Sequence, residues 1–262
     1  MSGAAGPGAK VFITGTSSGL GSGLRDACLD RGWQVYGLSR RGPGRDHHRF
    51  RHVRCDLSAF EEAVAPALDE LLGDADALDL VFLNAGVLGP IRAMPHVTVD
   101  HLRSVMDVNV WANKAILDWM HDPGPPVRQI VAISSGAAVL GNRGWDGYAI
   151  SKAALNMLVR LYAHELPESH LTALAPGLVE SGFMDYLCKE PDPAEFPAVQ
   201  RIRDARGTDR MPGPREAAER VLDVVPELLS HPSGEYVDIR QILAPEEYQQ
   251  LLGGQDRTRR EG

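Results

Sequence analysis

The chain has 262 residues, of which 44% are hydrophobic and 24% are charged, as is ordinary for a globular protein with a substantial core. Its formal net charge of −8 argues against a protein whose main task is to grip nucleic acid or an anionic membrane. Cys28, Cys55 and Cys188 lack metal-type spacing, which argues against a disulfide scaffold or zinc knuckle and favours a reducing, cytoplasmic compartment.

The chain predicts one domain with a tail at each end. Residues 1–9 are rich in Gly, Ala and Pro without an apolar core of the signal-peptide type, so we expect a flexible tail. No apolar run approaches the roughly 18 residues of a membrane span. Without an internal repeat or a dividing linker, residues 10–245 are expected to form a single domain, followed by a polar tail at 246–262.

Short apolar runs alternate with longer helical patterns from residue 10 onward. The predicted strands are 11–14, 34–39, 50–55, 80–83, 129–133, 171–175 and 234–239. The predicted helices are 19–31, 58–72, 98–119, 148–164 and 215–229. This alternation predicts the α/β class: a Rossmann-like, doubly wound parallel sheet of about seven strands with helices on both faces.

A glycine-rich turn separates the first predicted strand from the first predicted helix. A helix N-terminus offers unpaired N–H groups to a phosphate, and glycines let the backbone approach it closely. The alternative is a plain strand-to-helix turn, which also uses glycine. The residues of this turn are Gly15, Thr16, Ser17, Ser18, Gly19, Leu20 and Gly21.

Tyr148 and Lys152 open a predicted helix, and their four-residue spacing places both on one face. A free tyrosine has a pKa near ~10, which a cation within ~4–6 Å lowers. Such a pair suits general acid/base chemistry at a carbonyl or alcohol oxygen. A surface Tyr and Lys is the alternative, but Ser135 ends a predicted strand at the sheet edge where ligands of α/β sheets bind.

The glycine spacing and the order of Ser135, Tyr148 and Lys152 resemble the short-chain dehydrogenase/reductase family, in its single-domain branch. Further matching motifs follow in order over residues 10–240, each at the end of the predicted element that the family requires. They are Leu83-Asn84-Ala85-Gly86, Val108-Asn109-Val110 and Pro176-Gly177. The resemblance implies hydride transfer between a nicotinamide cofactor and a carbonyl carbon.

The resemblance also implies catalytic roles. Tyr148 would donate a proton to the forming alkoxide, and Ser135 would hydrogen-bond the carbonyl oxygen, with Ser134 as the alternative serine. Lys152 would bind the nicotinamide ribose and depress the pKa of Tyr148. Asn109 would support a water-mediated proton path.

The same resemblance implies further cofactor contacts beyond the glycine-rich turn. Asp56 and Leu57 resemble the pair that contacts adenine, although Asp56 could simply begin a helix. Ser181 replaces the usual Thr and keeps a hydroxyl for the carboxamide. The other implied contacts are Asn84, Ala85, Gly86, Tyr148, Lys152, Pro176, Gly177 and Val179.

The end of the second predicted strand bears on the choice of cofactor. Ser39 stands where an acidic residue would select NAD(H), and Arg40 is placed to pair with a 2′-phosphate, to which Ser39 can donate a hydrogen bond. The alternative is a solvated basic loop, and Ser18 stands where the family carries a basic residue. NADP(H) is therefore favoured over NAD(H).

Three histidines near these arginines raise the question of a metal. Adjacent His47 and His48 are expected to point apart, and neither Cys nor a carboxylate completes a set with them and His52. No metal is therefore expected.

The segment 178–214 is long and interrupted by prolines, which is typical of a lid over a substrate. An apolar cluster near its start is predicted to form a short helix that faces the pocket, with packing on the sheet edge as the alternative; its members are Phe183, Met184, Tyr186 and Leu187. Trp145 is expected either to form a pocket wall or to anchor its own loop.

Four segments resemble the sepiapterin reductase and benzil reductase subgroup, namely 133–137, Gly144-Trp145, 175–180 and 234–239. This implies an NADPH-dependent reduction of a small-molecule ketone, aldehyde or 1,2-dicarbonyl. The alternatives are an NAD(P)-dependent alcohol dehydrogenase or tailoring reductase, and a non-catalytic NADP(H)-sensing protein, which the intact Ser135, Tyr148 and Lys152 disfavour. The family further implies a homodimer or homotetramer built on helices 98–119 and 148–164, and neither nucleic acid nor a membrane is an expected partner.

Overall fold

The computed structural model of the chain describes Gly6 and residues 8–250, so most of the predicted tails 1–9 and 246–262 lies outside the described residues. The strands are β1 (Lys10–Thr14), β2 (Gln34–Ser39), β3 (Phe50–Arg54), β4 (Leu78–Leu83), β5 (Val127–Ile133), β6 (His170–Ala175) and β7 (Glu235–Asp238). The α-helices are α1 (Gly19–Asp30), α2 (Phe60–Leu72), α3 (Val99–Met106), α4 (Ala112–His121), α5 (Ala137–Leu140), α6 (Asp146–Glu165), α7 (Gly182–Lys189), α8 (Pro197–Ala205), α9 (Pro214–Leu228) and α10 (Ile239–Leu243).

The strands form one parallel sheet in the order β3-β2-β1-β4-β5-β6-β7. The order reverses between β1 and β4, so the connections that leave these two strands run in opposite directions and open a crevice at their carboxyl ends. The predicted doubly wound, Rossmann-like sheet is confirmed.

Apolar side chains cover both faces of the sheet, as expected for parallel strands buried on both sides. On one face, α1 and α9 pack through residues such as Leu24 and Val221. On the other face, α2, α4 and α6 pack through Leu68, Ile116 and Leu155. These two cores fix the strand ends, and with them the floor of the crevice.

The predicted helix 98–119 is interrupted in the structure. A π-helical turn at Asp107–Trp111 separates α3 from α4. The side chain of Asn113 donates from Nδ2 to the Asn109 carbonyl at 2.8 Å, which provides this carbonyl with a partner inside the wider turn. Asn109 therefore lies in an irregular turn rather than in a regular helix.

The predicted lid 178–214 is more regular than its prolines indicate, since it contains α7 and α8. These helices build a third apolar core, to which Leu187, Val199 and Ile202 contribute from the lid side and Trp145 from the loop before α6. The lid is therefore packed against the loops that surround the crevice.

Candidate active site

A cleft of about 360 Å³ lies at the carboxyl ends of the strands, beside the reversal between β1 and β4. Its walls are the glycine-rich turn, the ends of β2, β4 and β5, the start of α6 and the segment after β6. The predicted site residues that line it are Gly15, Ser17, Ser18, Gly19, Leu20, Ser39, Arg40, Asp56, Leu57, Asn84, Ala85, Gly86, Ser135, Trp145, Tyr148, Lys152, Pro176, Gly177, Val179, Ser181, Phe183 and Met184.

Four predicted site residues lie outside this lining. Tyr186 lines an adjoining cavity at the mouth of the cleft. Thr16, Gly21 and Asn109 stand behind the wall, and the Thr16 hydroxyl is buried without a hydrogen-bond partner among the described residues.

The glycine-rich turn is folded so tightly that side chains are excluded from it. Gly15 has φ of +78°, and a Cβ at Gly21 would lie only 2.3 Å from the Gly15 carbonyl oxygen. Helix α1 begins at Gly19, and the first N–H groups of a helix have no partner within it. This end of the cleft therefore fits a phosphate group of a dinucleotide.

Asn84 and Ala85 connect the end of β4 to the end of β1. Their backbone N–H groups donate to Thr14 Oγ1 at 2.9 and 3.0 Å, and Asn84 Nδ2 donates to the Thr14 carbonyl at 2.8 Å. A Cβ at Gly86 would lie 3.2 Å from Asn109 Oδ1. The Asn-Ala-Gly segment thus fixes the cleft wall, in addition to bordering the cleft itself.

Ser135, Tyr148 and Lys152 come together at one end of the cleft. The hydroxyl of Tyr148 is hydrogen-bonded to that of Ser135, whose Oγ also accepts from the Ala137 N–H at 3.1 Å. Lys152 Nζ donates to the Ile133 carbonyl at 2.7 Å and lies 5.8 Å from the centroid of the Tyr148 ring. Two hydroxyls and a buried ammonium are the groups that acid/base chemistry at a carbonyl oxygen requires.

Ser134, the alternative serine, uses its hydroxyl elsewhere. Its Oγ donates to Asn156 Oδ1 at 2.5 Å. Because a hydroxyl carries a single hydrogen, Ser134 has none left to donate toward the cleft. Ser135 is therefore the serine that stands beside Tyr148.

Asn109 connects the loop after β4 to helix α6. Its Oδ1 accepts from the Val87 N–H at 2.8 Å, and its Nδ2 donates to the Val87 carbonyl and to Ser151 Oγ, both at 2.9 Å. Ser151 directly precedes Lys152 on α6. Asn109 therefore holds the wall of the cleft and the helix that carries Tyr148 and Lys152 in one arrangement.

Burial is the largest influence on the pKa values of Tyr148 and Lys152. It raises the pKa of Tyr148, and the hydrogen bond from Ser135 opposes that rise. It lowers the pKa of Lys152 to about 8. The expected depression of the tyrosine pKa by Lys152 is therefore wrong here: loss of water around the phenol raises the pKa, and Ser135 rather than Lys152 opposes the rise. At neutral pH Tyr148 is protonated and most of Lys152 is charged.

Arg40 and Arg41 line the cleft just after β2, and sequence reasoning assigned only the first of them. The guanidinium of Arg41 donates to Ser18 Oγ at 2.7 Å and to Ser17 Oγ at 3.3 Å. A second arginine after Arg40 is visible in the sequence. Which guanidinium turns back toward the glycine-rich turn depends on the path of the loop.

Apolar side chains surround the end of the cleft near Tyr148. Trp145 is buried with its ring centroid 6.2 Å from that of Tyr148, and its indole N–H has no partner among the described residues. It both lines the cleft and pairs through its backbone with Arg92, so the wall and anchor interpretations both apply. Leu187 of the predicted apolar cluster lines the cleft as well, whereas sequence reasoning missed Leu88 and Leu178 among the apolar lining residues.

The described residues contain no group of three or more His, Cys, Asp or Glu side chains that could hold a metal ion. The rings of His47 and His48 stack with centroids 4.5 Å apart, so the expectation that these adjacent side chains point apart is wrong. The loop that carries them is not a strand, in which side chains alternate between faces. Among the helices of this part of the chain, none has the length and apolar character needed to cross a bilayer.

Comparison with known proteins matches residues 9–191 to the family model described as short chain dehydrogenase. The benzil reductase ((S)-benzoin forming) of Bacillus subtilis is 26% identical over 243 residues, covering 88% of this chain and 98% of that protein. The benzil reductase ((S)-benzoin forming) IRC24 of Saccharomyces cerevisiae is 29% identical over 191 residues, covering 66% and 73%.

Among solved structures, the YIR035C short-chain dehydrogenase/reductase from Saccharomyces cerevisiae superposes with a TM-score of 0.74 at 21% identity. The alignment covers 88% of this chain and 96% of that one, which shows a shared fold. The family match spans the glycine-rich turn, Ser135, Tyr148 and Lys152. The chain therefore belongs to the short-chain dehydrogenase/reductase family and is an NAD(P)-dependent oxidoreductase.

Proposed function

We propose that this protein is an NADPH-dependent carbonyl reductase that acts on ketones, aldehydes or 1,2-dicarbonyls with apolar substituents. The observation that carries the proposal is the hydrogen-bonded pair of Ser135 and Tyr148 hydroxyls beside the buried Lys152, at the apolar end of the cleft. The two relatives named as benzil reductases support a dicarbonyl among the substrates.

In the proposed reaction Tyr148 is the general acid and Ser135 holds the carbonyl oxygen beside it. With its pKa raised, Tyr148 carries its proton at neutral pH, which is the form that a general acid needs in the reductive direction. Lys152 would hold the nicotinamide ribose and stabilise the phenolate left after transfer. The bound nicotinamide supplies the hydride.

The apolar end of the cleft supports an uncharged substrate. Leu88, Trp145, Leu178, Phe183 and Met184 line the cleft and belong to the same apolar cluster as Tyr148. An uncharged carbonyl compound loses less hydration energy there than a carboxylate would. Aromatic diketones fit this description.

Preference for NADPH is supported by two arginines at the end of β2. The family carries a basic residue at the position of Ser18. This chain lacks that residue, but the Arg41 guanidinium donates to the Ser18 hydroxyl at 2.7 Å. Arg41 thus brings a positive charge to the place where the family has one. Arg40 adds a second, exposed guanidinium beside the cleft.

We also propose that residues 10–245 act as one domain with 178–214 as a lid, and that the protein is a homodimer or homotetramer. Exposed Ile150, Met157 and Leu161 on α6, with Trp111 just before α4, give these helices an apolar surface that a second copy can cover. The three unpaired cysteines support a reducing, cytoplasmic compartment.

The test is a panel of carbonyl compounds, from 1,2-diketones and pterins to aliphatic aldehydes, followed by loss of NADPH absorbance. We expect Tyr148→Phe to bind NADPH like the wild type but to lower kcat by at least about 10²-fold, because the proton donor is lost. The control Tyr248→Phe, in the carboxyl-terminal part, keeps full activity. Unchanged turnover of Tyr148→Phe contradicts the mechanism.

A further inference from the structure

Ser39 at the end of β2 does not offer its hydroxyl hydrogen to the cleft. Its Oγ donates to the backbone carbonyl of Arg41 at 3.0 Å and lies 2.8 Å from Nε2 of His52 on β3. The predicted hydrogen bond from Ser39 to a 2′-phosphate would compete with this arrangement, because the hydroxyl has one hydrogen. Ser39 is 6% exposed and forms part of the cleft wall.

The hydrogens in this cluster have one consistent assignment. A carbonyl only accepts, so the bond between Ser39 and Arg41 uses the hydrogen of Ser39 Oγ. His52 Nε2 must then carry a hydrogen and donate it to Ser39 Oγ. Burial lowers the pKa of His52, with Arg54 and Arg25 adding to the effect, so the ring is neutral at neutral pH with its hydrogen on Nε2.

The Arg41 carbonyl is one of several anchors of the loop that follows β2. Arg25 on α1, itself buried, donates to the Pro43 carbonyl at 2.7 Å and to the Thr16 carbonyl at 3.0 Å. The guanidinium of Arg41 reaches across to Ser18. These bonds hold the loop against the glycine-rich turn. The hydrogen bonds from His52 through Ser39 to the Arg41 carbonyl fix the loop where it leaves β2.

We propose that His52 is a positioning residue for cofactor choice. Through Ser39 it holds the backbone carbonyl of Arg41 and thereby aims the guanidinium groups of Arg40 and Arg41 at the 2′-phosphate of NADPH. This inference rests on the proposed preference for NADPH. NADH lacks the phosphate, so its binding does not depend on where these two guanidinium groups point.

The proposal is tested by titrating the purified protein with NADPH and NADH and following nicotinamide fluorescence. We expect His52→Leu to weaken NADPH binding about tenfold and NADH binding less than about twofold, because a fixed guanidinium–phosphate contact is a charge-assisted hydrogen bond. His52→Gln, whose amide N–H can replace Nε2–H, is expected to stay within about threefold of the wild type for both cofactors. His48→Leu, in the exposed part of the same loop region, is the matched control without effect.

Binding of NADH also reports whether each variant is folded. An equal loss of both cofactors in His52→Leu would show a merely structural role and overturn the inference, as would no loss at all or a His52→Gln that behaves like His52→Leu. A wild type that binds both cofactors equally well overturns the NADPH preference, and the inference falls with it. A wild type that prefers NADPH while His52→Leu retains that preference overturns the inference alone.

Discussion

Lys152 carries its ammonium group inside the protein, where Nζ donates to the Ile133 carbonyl. Removal from water disfavours the charged form, and this lowers the pKa of the group to about 8. The proposed role of Lys152 needs the charge. The residue therefore works close to the pH at which it loses its proton.

This proximity predicts a falling activity in mildly alkaline solution. We expect kcat/KM for carbonyl reduction to decline as the pH rises through about 8, because Lys152 becomes neutral above its pKa. The measurement is a pH profile between 6 and about 10. Lys152→Arg, which stays charged throughout, should lack the decline at whatever activity it keeps. A flat wild-type profile over this interval would contradict the assignment.

The contributions of the neighbouring Arg40 and Arg41 to the cofactor preference can be measured separately. We expect Arg40→Ala and Arg41→Ala each to weaken NADPH binding about tenfold and to leave NADH binding unchanged, since each removes one charge from the phosphate end of the cleft. Fluorescence titration measures both. Arg45→Ala is the matched control, because Arg45 pairs with Asp26 and Asp30 instead of lining the cleft. Equal losses of NADH and NADPH would speak against phosphate recognition.

At the scale of elements, helix α7 is tied down on two sides. Tyr186 Oη accepts from the backbone N–H of Ile91 at 2.8 Å, which links α7 to the loop after β4. Arg206, at the end of α8, donates to Glu180 and Asp185, each at 2.5 Å. These bonds set the position of Phe183 and Met184 over the apolar end of the cleft.

Loss of the Tyr186 hydroxyl should loosen this cover. We expect Tyr186→Phe to raise KM for the carbonyl substrate about tenfold with the Kd for NADPH unchanged, because the Ile91 N–H is left unpaired at a buried residue. Steady-state kinetics and cofactor titration separate the two constants. An unchanged KM, or a parallel loss of NADPH binding, would contradict a role of α7 on the substrate side alone.

The sequence predicted elements with local signals better than it predicted contacts between loops. The predicted strands match the observed ones to within about two residues at each end, and in central strands such as β4 burial on both faces leaves a continuous apolar pattern. The π-helical turn at Asp107–Trp111 carried no such pattern, because helix periodicity continues on both sides of it. Helix α8 of the lid was obscured by prolines, although Pro197 simply begins it.

The site was predictable to a similar degree. Ser135 lies just after β5, and Tyr148 and Lys152 lie on α6. Predicting this strand and this helix was therefore enough to bring the three residues together. The contact of Arg41 with Ser18 and that of His52 with Ser39 join segments whose paths are set by loops. The residue types at those positions show which side chains can donate or accept a hydrogen bond, but not which donor is paired with which acceptor.

At the scale of the whole molecule, the exposed apolar residues of α6 make the proposed assembly testable. We expect Met157→Glu with Leu161→Glu to shift the protein toward the monomer in light scattering, because two charges would be buried between copies. Met94→Glu, at a similarly exposed position outside these helices, should leave the mass unchanged. A wild type that is already monomeric would show that the assembly proposal is wrong.

The lid encloses an apolar interior of its own, separate from the two layers that sandwich the sheet. Replacements among its members, such as Leu187 or Val199, should reshape the chamber next to Tyr148 without disturbing the packing that keeps the nucleotide half intact. In this architecture the substrate range can therefore change while the cofactor-binding sheet and its helices stay the same. Proteins of this architecture can thus acquire new carbonyl substrates through single replacements in the lid while the residues for hydride transfer are retained.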